Sequence, residues 1–203
     1  MRDFRSIINI IGLLICIEAI AMLIPMFFDI YFMNEDWLQF LYSSLITFFI
    51  GIILFISFRK KNIKLGIRQA FLLTISSWLV ISLFGAIPFI YSSSELSYTD
   101  AFFESVSGIT TTGSTVIYDL EILSEGILVW RSLLQWFGGI GIIVLAMAIL
   151  PTLQIGGMQL LHMEHDDPYE KTIPKVNRFV LELFVLYVFL SIICGFLYLL
   201  NGM

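Results

Sequence analysis

The apolar positions of this chain gather into long runs separated by short polar stretches. Five runs reach the ~20 residues a helix needs to cross ~30 Å of hydrocarbon: Ser6 to Phe28, Trp37 to Phe58, Gln69 to Tyr91, Ile127 to Leu150 and Phe179 to Leu200. The first run is too long for a cleaved leader, and no small-x-small cleavage site follows it, so it is read as a retained span. A sixth apolar pattern is shorter. In T-D-A-F-F-E-S-V-S-G, residues 99 to 108, Ala101, Phe102, Val106 and Ile109 fall on one helical face. Ser97 and Asp100 have capping-box spacing, Asp100 and Glu104 sit where carboxylates favour the positive end of the helix dipole, and Gly108 is a natural stop. Such a helix is only ~15 Å long and cannot span.

The next residues, S-G-I-T-T-T-G-S-T from 107 to 115, must carry the chain back to the start of the run at Ile127. Five or six extended residues at ~3.3 Å each suffice for the return. Backbone carbonyls at that depth are tolerable only where they are buried in protein or line a watery cavity. A half-length helix followed by an extended, hydroxyl-rich limb and a full helix is the arrangement of a pore loop, in which carbonyl oxygens replace the water around a cation. Gly113 permits the backbone angles that aim successive carbonyls at one axis. Oxygen ligands suit a hard monovalent ion, K⁺ or Na⁺, and the spacing does not distinguish the two.

Composition agrees with the pattern: 59% of the 203 residues are hydrophobic and 13% charged, with a mean hydropathy of +0.94. The expected class is all-α integral membrane, with five transmembrane helices plus one re-entrant pore helix and an extended filter loop. Charge then orients the spans. Arg2, Arg5, Arg59, Lys60, Lys61, Lys64, Arg68, Lys171, Lys175 and Arg178 all fall on one side, which positively charged loops mark as cytoplasmic. The N-terminus is therefore expected inside and the C-terminal end of the chain outside. Asp29, Glu35, Asp36, Glu95, Asp100, Glu104, Asp119, Glu121 and Glu125 collect on the other side, and the net charge of −5 argues against a nucleic-acid partner. Cys16 and Cys194 lie within spans and behave there as small apolar side chains.

Several residues invite a second reading. Arg131, one turn into the fourth span, is expected to pair with one of the external carboxylates, such as Asp119 or Glu121, and anchor the return limb, or else to snorkel to the interface. Gly138, Gly139 and Gly141 permit close helix packing or give room to the short helix. Glu18, midway through the first span, is a neutral or hydrogen-bonded structural carboxyl, or a proton-coupling group. His162 and His165 lie beside three carboxylates in H-M-E-H-D-D. A solvated loop explains them, and the alternative is the metal site of a membrane-embedded metalloenzyme. A non-conducting structural or regulatory subunit is a further alternative. No nucleophile and base constellation is visible, and neither enzymatic activity nor a cofactor is expected.

With D-A-F-F-E-S-V-S-G-I-T-T-T-G-S-T at 100 to 115, V-W-R-S-L-L-Q-W-F-G-G-I-G-I-I-V-L-A at 129 to 146 and L-P-T-L-Q-I-G-G-M-Q-L at 150 to 160 in view, the chain resembles the Trk/Ktr/HKT superfamily of potassium transporters, most closely its TrkH-like membrane subunits of bacterial Trk uptake systems. The resemblance implies four repeats of outer helix, pore helix, filter and inner helix around one pore, preceded by two extra helices. Residues 1–67 would be those extra helices, 68–153 the first repeat, 154–178 a cytoplasmic loop, and 179–203 the outer helix of a second, incomplete repeat. The chain would then be a fragment or a truncated product, unlikely to conduct alone. The resemblance also implies K⁺ ligation by backbone oxygens of Thr111, Thr112 and Gly113, with Thr110 and Ser114 at the margins. Glycine at 113 favours K⁺ over Na⁺. The implied setting is the bacterial cytoplasmic (inner) membrane and its lipid, with dimerisation of the full-length subunit and a cytosolic nucleotide-binding regulator of the TrkA type.

Overall fold

The computed structural model describes residues 4–59, 67–92, 96–120, 123–153 and 172–202, and gives side-chain surroundings for all of these except 67, 142–153 and 172–180. The described elements are all helical. They are α1 (Phe4–Ala21), α2 (Leu23–Phe32), α3 (Trp37–Ser57), α4 (Ile67–Gly85), α5 (Ile87–Tyr91), α6 (Tyr98–Ile109), α7 (Glu125–Leu153) and α8 (Thr172–Leu200). Among the described residues, four stretches are long and apolar enough to cross a membrane: Phe4–Phe32, Trp37–Ser57, Arg68–Tyr91 and Leu181–Leu200. The chain divides into two compact units, residues 1–139 and 140–203, with α7 running across the boundary.

Two of the apolar runs are broken helices rather than straight ones, and proline is the reason both times. Pro25 has no N–H to offer the carbonyl of Ala21, and the first run divides at Met22 into α1 and α2. Pro88 does the same to Phe84, and the third run divides at Ala86 into α4 and α5. Continuity is nearly kept, since Met22 N still donates to Glu18 O at 3.0 Å and Ala86 N to Ser82 O at 3.2 Å.

α1 and α3 pack backbone to backbone. A Cβ at Gly12 would lie 2.6 Å from Phe55 N, and one at Gly51 2.9 Å from Cys16 Sγ. This is how membrane helices associate where lipid removes the hydrophobic incentive. Asn9 Nδ2 donating to Phe55 O at 2.7 Å and Ser44 Oγ donating to Ala19 O at 2.7 Å add polar ties to the seam. One core joins Ile7, Ile11 and Ile15 to Leu54, Leu73, Val80 and Phe84. A second gathers Met22, Phe40, Phe89, Ala101, Ile127, Trp130 and Leu134 around α6, so the short helix is enclosed by the first unit. In the second unit, most of the described side chains of α8 are exposed.

Candidate functional site

The site begins with α6. Ser97 caps it as expected: its Oγ accepts from Asp100 N at 3.2 Å and donates to Asp100 Oδ2 at 2.7 Å. Twelve residues give about 18 Å of helix, well short of a crossing. The helix does not stop at Gly108. It continues to Ile109, and Gly108 is instead buried, where a Cβ would meet Leu134 Cβ at 2.9 Å. The turn is made three residues later by Thr111, which takes φ 57. A left-handed threonine costs about 1–2 kcal/mol. The cost is offset by closing the helix end, for Thr111 N donates to Gly108 O at 2.9 Å and Thr112 N to Ser107 O at 3.0 Å.

Beyond this turn the chain runs without regular structure, with Gly113 at φ 77. Among the described residues, no hydrogen bond is made to the carbonyls of Thr110, Thr111, Thr112 or Gly113. Thr110 to Val116 are all exposed. The threonine hydroxyls at the start of the segment are engaged among themselves, Thr110 Oγ1 with Val106 O at 2.7 Å and with Thr112 Oγ1 at 2.8 Å. Ser114 differs from its neighbours: its carbonyl accepts from Ser107 Oγ at 2.6 Å and is committed to the back of the segment. A run of unspent carbonyl oxygens is a hard, neutral ligand set of the kind that can stand in for a cation's water shell.

The return limb is held by a residue that sequence reasoning assigned to the helix dipole. Glu104 is 1% exposed. Its Oε1 accepts from Thr115 Oγ1 at 2.6 Å and from Val116 N at 2.7 Å. Its Oε2 lies 3.0 Å from Arg131 Nε without the alignment of a directed hydrogen bond, so the pair is Coulombic. Arg131 does meet one of the external carboxylates, and among the described residues that carboxylate is Glu104; Glu121 falls outside the described residues. The signal was present in the sequence, because Ala101, Glu104, Ser105 and Gly108 repeat at helical spacing and share the buried face of α6. A carboxylate on that stripe has to be paired.

Further supports come from elements outside α6 and α7. Asp29, fully buried at the end of α2, accepts from Gly126 N at 2.7 Å and from Asn34 Nδ2 at 3.1 Å, closing the start of α7. Asn34 Nδ2 also donates to Glu125 Oε2, and this amide holds the Glu125 carboxyl below the usual carboxylate range. Trp130 Nε1 donates to Gly85 O at 2.9 Å, tying α7 to the break between α4 and α5. Loss of a helix cap costs about 1–2 kcal/mol. Asp29→Ala is expected to lower thermal stability in detergent by that order, and Asp29→Asn, which keeps an acceptor oxygen, by less; equal losses would show that the cap is not the cause.

Gly138 of α7 closes on the short helix, where a Cβ would collide with Ile109 O. His162 and His165 lie outside the described residues.

A family model described as a TrkH cation transport protein matches residues 38–201. The chain belongs to the TrkH family. It is 41% identical over 195 residues to the Trk system potassium uptake protein TrkH of Escherichia coli K12, covering 95% of this chain and 40% of that relative. TrkI of Halomonas elongata, also a Trk system potassium uptake protein, is 37% identical over 203 residues, covering all of this chain and 41% of that relative. Among solved structures, the potassium transporter TrkH from Vibrio parahaemolyticus superposes with a TM-score of 0.85 at 37% identity, covering all of this chain and 40% of that one. This TrkH-family chain thus spans about 40% of the length of the relatives it matches. Together with its apolar helices, membership makes it an integral membrane protein of a cation-transporting family.

Proposed function

We propose that this chain supplies the first wall of a potassium pathway, with K⁺ held by backbone oxygens of Thr110, Thr111, Thr112 and Gly113. One observation carries the reading: four successive carbonyls without hydrogen bonds follow a buried half-length helix, with left-handed backbone at Thr111 and Gly113. The names of the relatives supply the ion. In this reading residues 1–67 are two extra spans, and 68–153 form one repeat of outer helix, re-entrant helix α6, filter and inner helix. Residues 154–178 lie in the cytoplasm and 179–203 begin a second repeat, giving five spans in all. The N-terminus faces the cytoplasm of a bacterial cell and the threonine-rich limb faces outward, as the basic loops require. Four such walls would surround the ion, and the whole transporter would pair as a dimer under a TrkA-type nucleotide-binding regulator.

Gly113→Ala tests the reading in cells that depend on the whole transporter for potassium. Alanine is strained at φ 77, and beyond the neighbouring residues no described atom lies within 4 Å of the added methyl, so within this chain the strain falls on the backbone. Uptake is expected to fall at least ~10-fold with the amount of protein in the membrane unchanged, the equivalent of ~1.4 kcal/mol at the ion site. Undiminished uptake and undiminished preference for K⁺ over Na⁺ would remove the segment from the pathway.

A further inference from the structure

Glu18 lies in α1, which the family resemblance places outside the pore repeats, yet its carboxyl reaches the back of α6. It is 5% exposed, and neither Oε1 nor Oε2 has a hydrogen-bond partner. Its position is fixed by Gly85, at the end of α4. A Cβ there would lie 2.9 Å from Glu18 Oε1 and 2.6 Å from Ser105 Oγ, so the two side chains converge on the space that the missing methyl leaves. Ser105, on the buried face of α6, is fully buried, and its hydroxyl is also without a partner. Two further buried hydroxyls of the first unit, Ser43 and Thr47 on α3, are unpartnered as well.

The charged groups of the surrounding elements do not neutralise Glu18. Arg5 lies thirteen residues earlier on α1, about 20 Å along the axis, and Arg68 lies at the far end of α4 from Gly85. On α6, Glu104 is bound to Thr115, Val116 and Arg131, while Asp100 is bound to Ser97 at the opposite turn. On α2, Asp29 is bound to Gly126 and Asn34. α3 carries no charged side chain; its Tyr42 and the Cys16 thiol of α1 are the uncharged titratable groups nearby in sequence. An ionised carboxylate buried with no cation and no donor is too costly to persist.

We propose that Glu18 and Ser105 form a proton-binding site between the N-terminal helices and the pore helix: Glu18 is carried as the carboxylic acid, its O–H poised to donate a hydrogen bond to Ser105 Oγ across the space beside Gly85. The site follows from Glu18, Gly85 and Ser105, whatever ion passes the Thr110–Gly113 segment. Binding the proton joins α1 to the helix that carries that segment, and releasing it leaves a bare charge against the same helix. The step is a simple protonation, with no bond other than O–H made or broken.

Infrared spectroscopy of the purified protein in lipid nanodiscs at neutral pH tests this. The carbonyl stretch of a protonated carboxylic acid is expected in the wild type, lost in Glu18→Gln and retained in Asp29→Asn. Ser105→Ala is expected to move the band to the higher frequency of a freer acid, a readout within a chain that keeps Glu18 and does not depend on Glu18→Gln folding. Absence of the band in the wild type, or its survival in Glu18→Gln, would overturn the proposal. A band unmoved by Ser105→Ala would overturn Ser105 as the acceptor.

Discussion

Gly138→Ala is expected to destabilise the fold by about 2–3 kcal/mol and to reduce potassium uptake by the whole transporter at least tenfold. The added methyl would collide with Ile109 O and sit 2.8 Å from Ile109 C and 3.2 Å from Ile109 Cα. All three atoms are main chain, so no rotamer change relieves the clash. Either α7 or the end of α6 has to move. The neighbouring contact offers no slack, because Leu134, one turn earlier on α7, already packs on Gly108. A shift at Ile109 is passed directly to Thr110 and Thr111, where the carbonyls that would meet the ion begin. Gly195→Ala is the control, since a methyl there meets no described atom within 4 Å. Thermal unfolding in detergent and rubidium uptake in potassium-dependent cells would measure the two effects. A Gly138→Ala protein with wild-type melting and flux would mean that the seam between α6 and α7 is far softer than its geometry.

The second large effect is expected at Glu104. Alanine there strands three groups at once: the Thr115 hydroxyl, the Val116 amide and the guanidinium of Arg131, whose side chain is 13% exposed. Removing one member of a buried pair costs about 3–5 kcal/mol. Glu104→Gln keeps an oxygen for Thr115 and Val116 but gives up the charge, so it is expected to fall between alanine and wild type. A double-mutant cycle with Arg131→Ala separates these contributions, because the coupling energy isolates the ion pair from the two hydrogen bonds. The functional readout is selectivity. With the return limb released, discrimination between K⁺ and Na⁺ should decline before total flux does. Full selectivity in a folded Glu104→Ala protein would show that the limb holds its shape without its brace.

Much of this architecture can be read in one dimension because lipid imposes a length. The run at 37–58 appears as a helix with nearly the expected bounds, the run at 179–200 is the later part of a helix that begins at Thr172, and the half-length of α6 follows from a cap at Ser97 and a hydroxyl-rich sequence after Ile109. Local chemistry also explains the kinks, since Pro25 and Pro88 remove specific donors, although a hydropathy window passes over both. What escapes such a window is direction. Glu104 was visible as a carboxylate early in a helix, but its task depends on which face of α6 turns to α7. Arg131 can be read as an anchor for an external carboxylate, but that the carboxylate is Glu104 depends on the contact across a helix pair. Ser114 could be placed at the margin of the segment, but the claim of Ser107 on its carbonyl could not be read. Glu18 could be seen as out of place, and only the packing shows that it stands behind α6.

The carboxylate of Asp29 and the amide of Gly126 that it caps are separated by 97 residues. Synthesis proceeds from the N-terminus, so the acceptor is made long before the donor it serves. When α7 leaves the ribosome, the amide of Gly126 in its first turn meets an acceptor that was synthesised earlier. The opening helices are thus a scaffold in time as well as in space: they give α7 a fixed point of arrival.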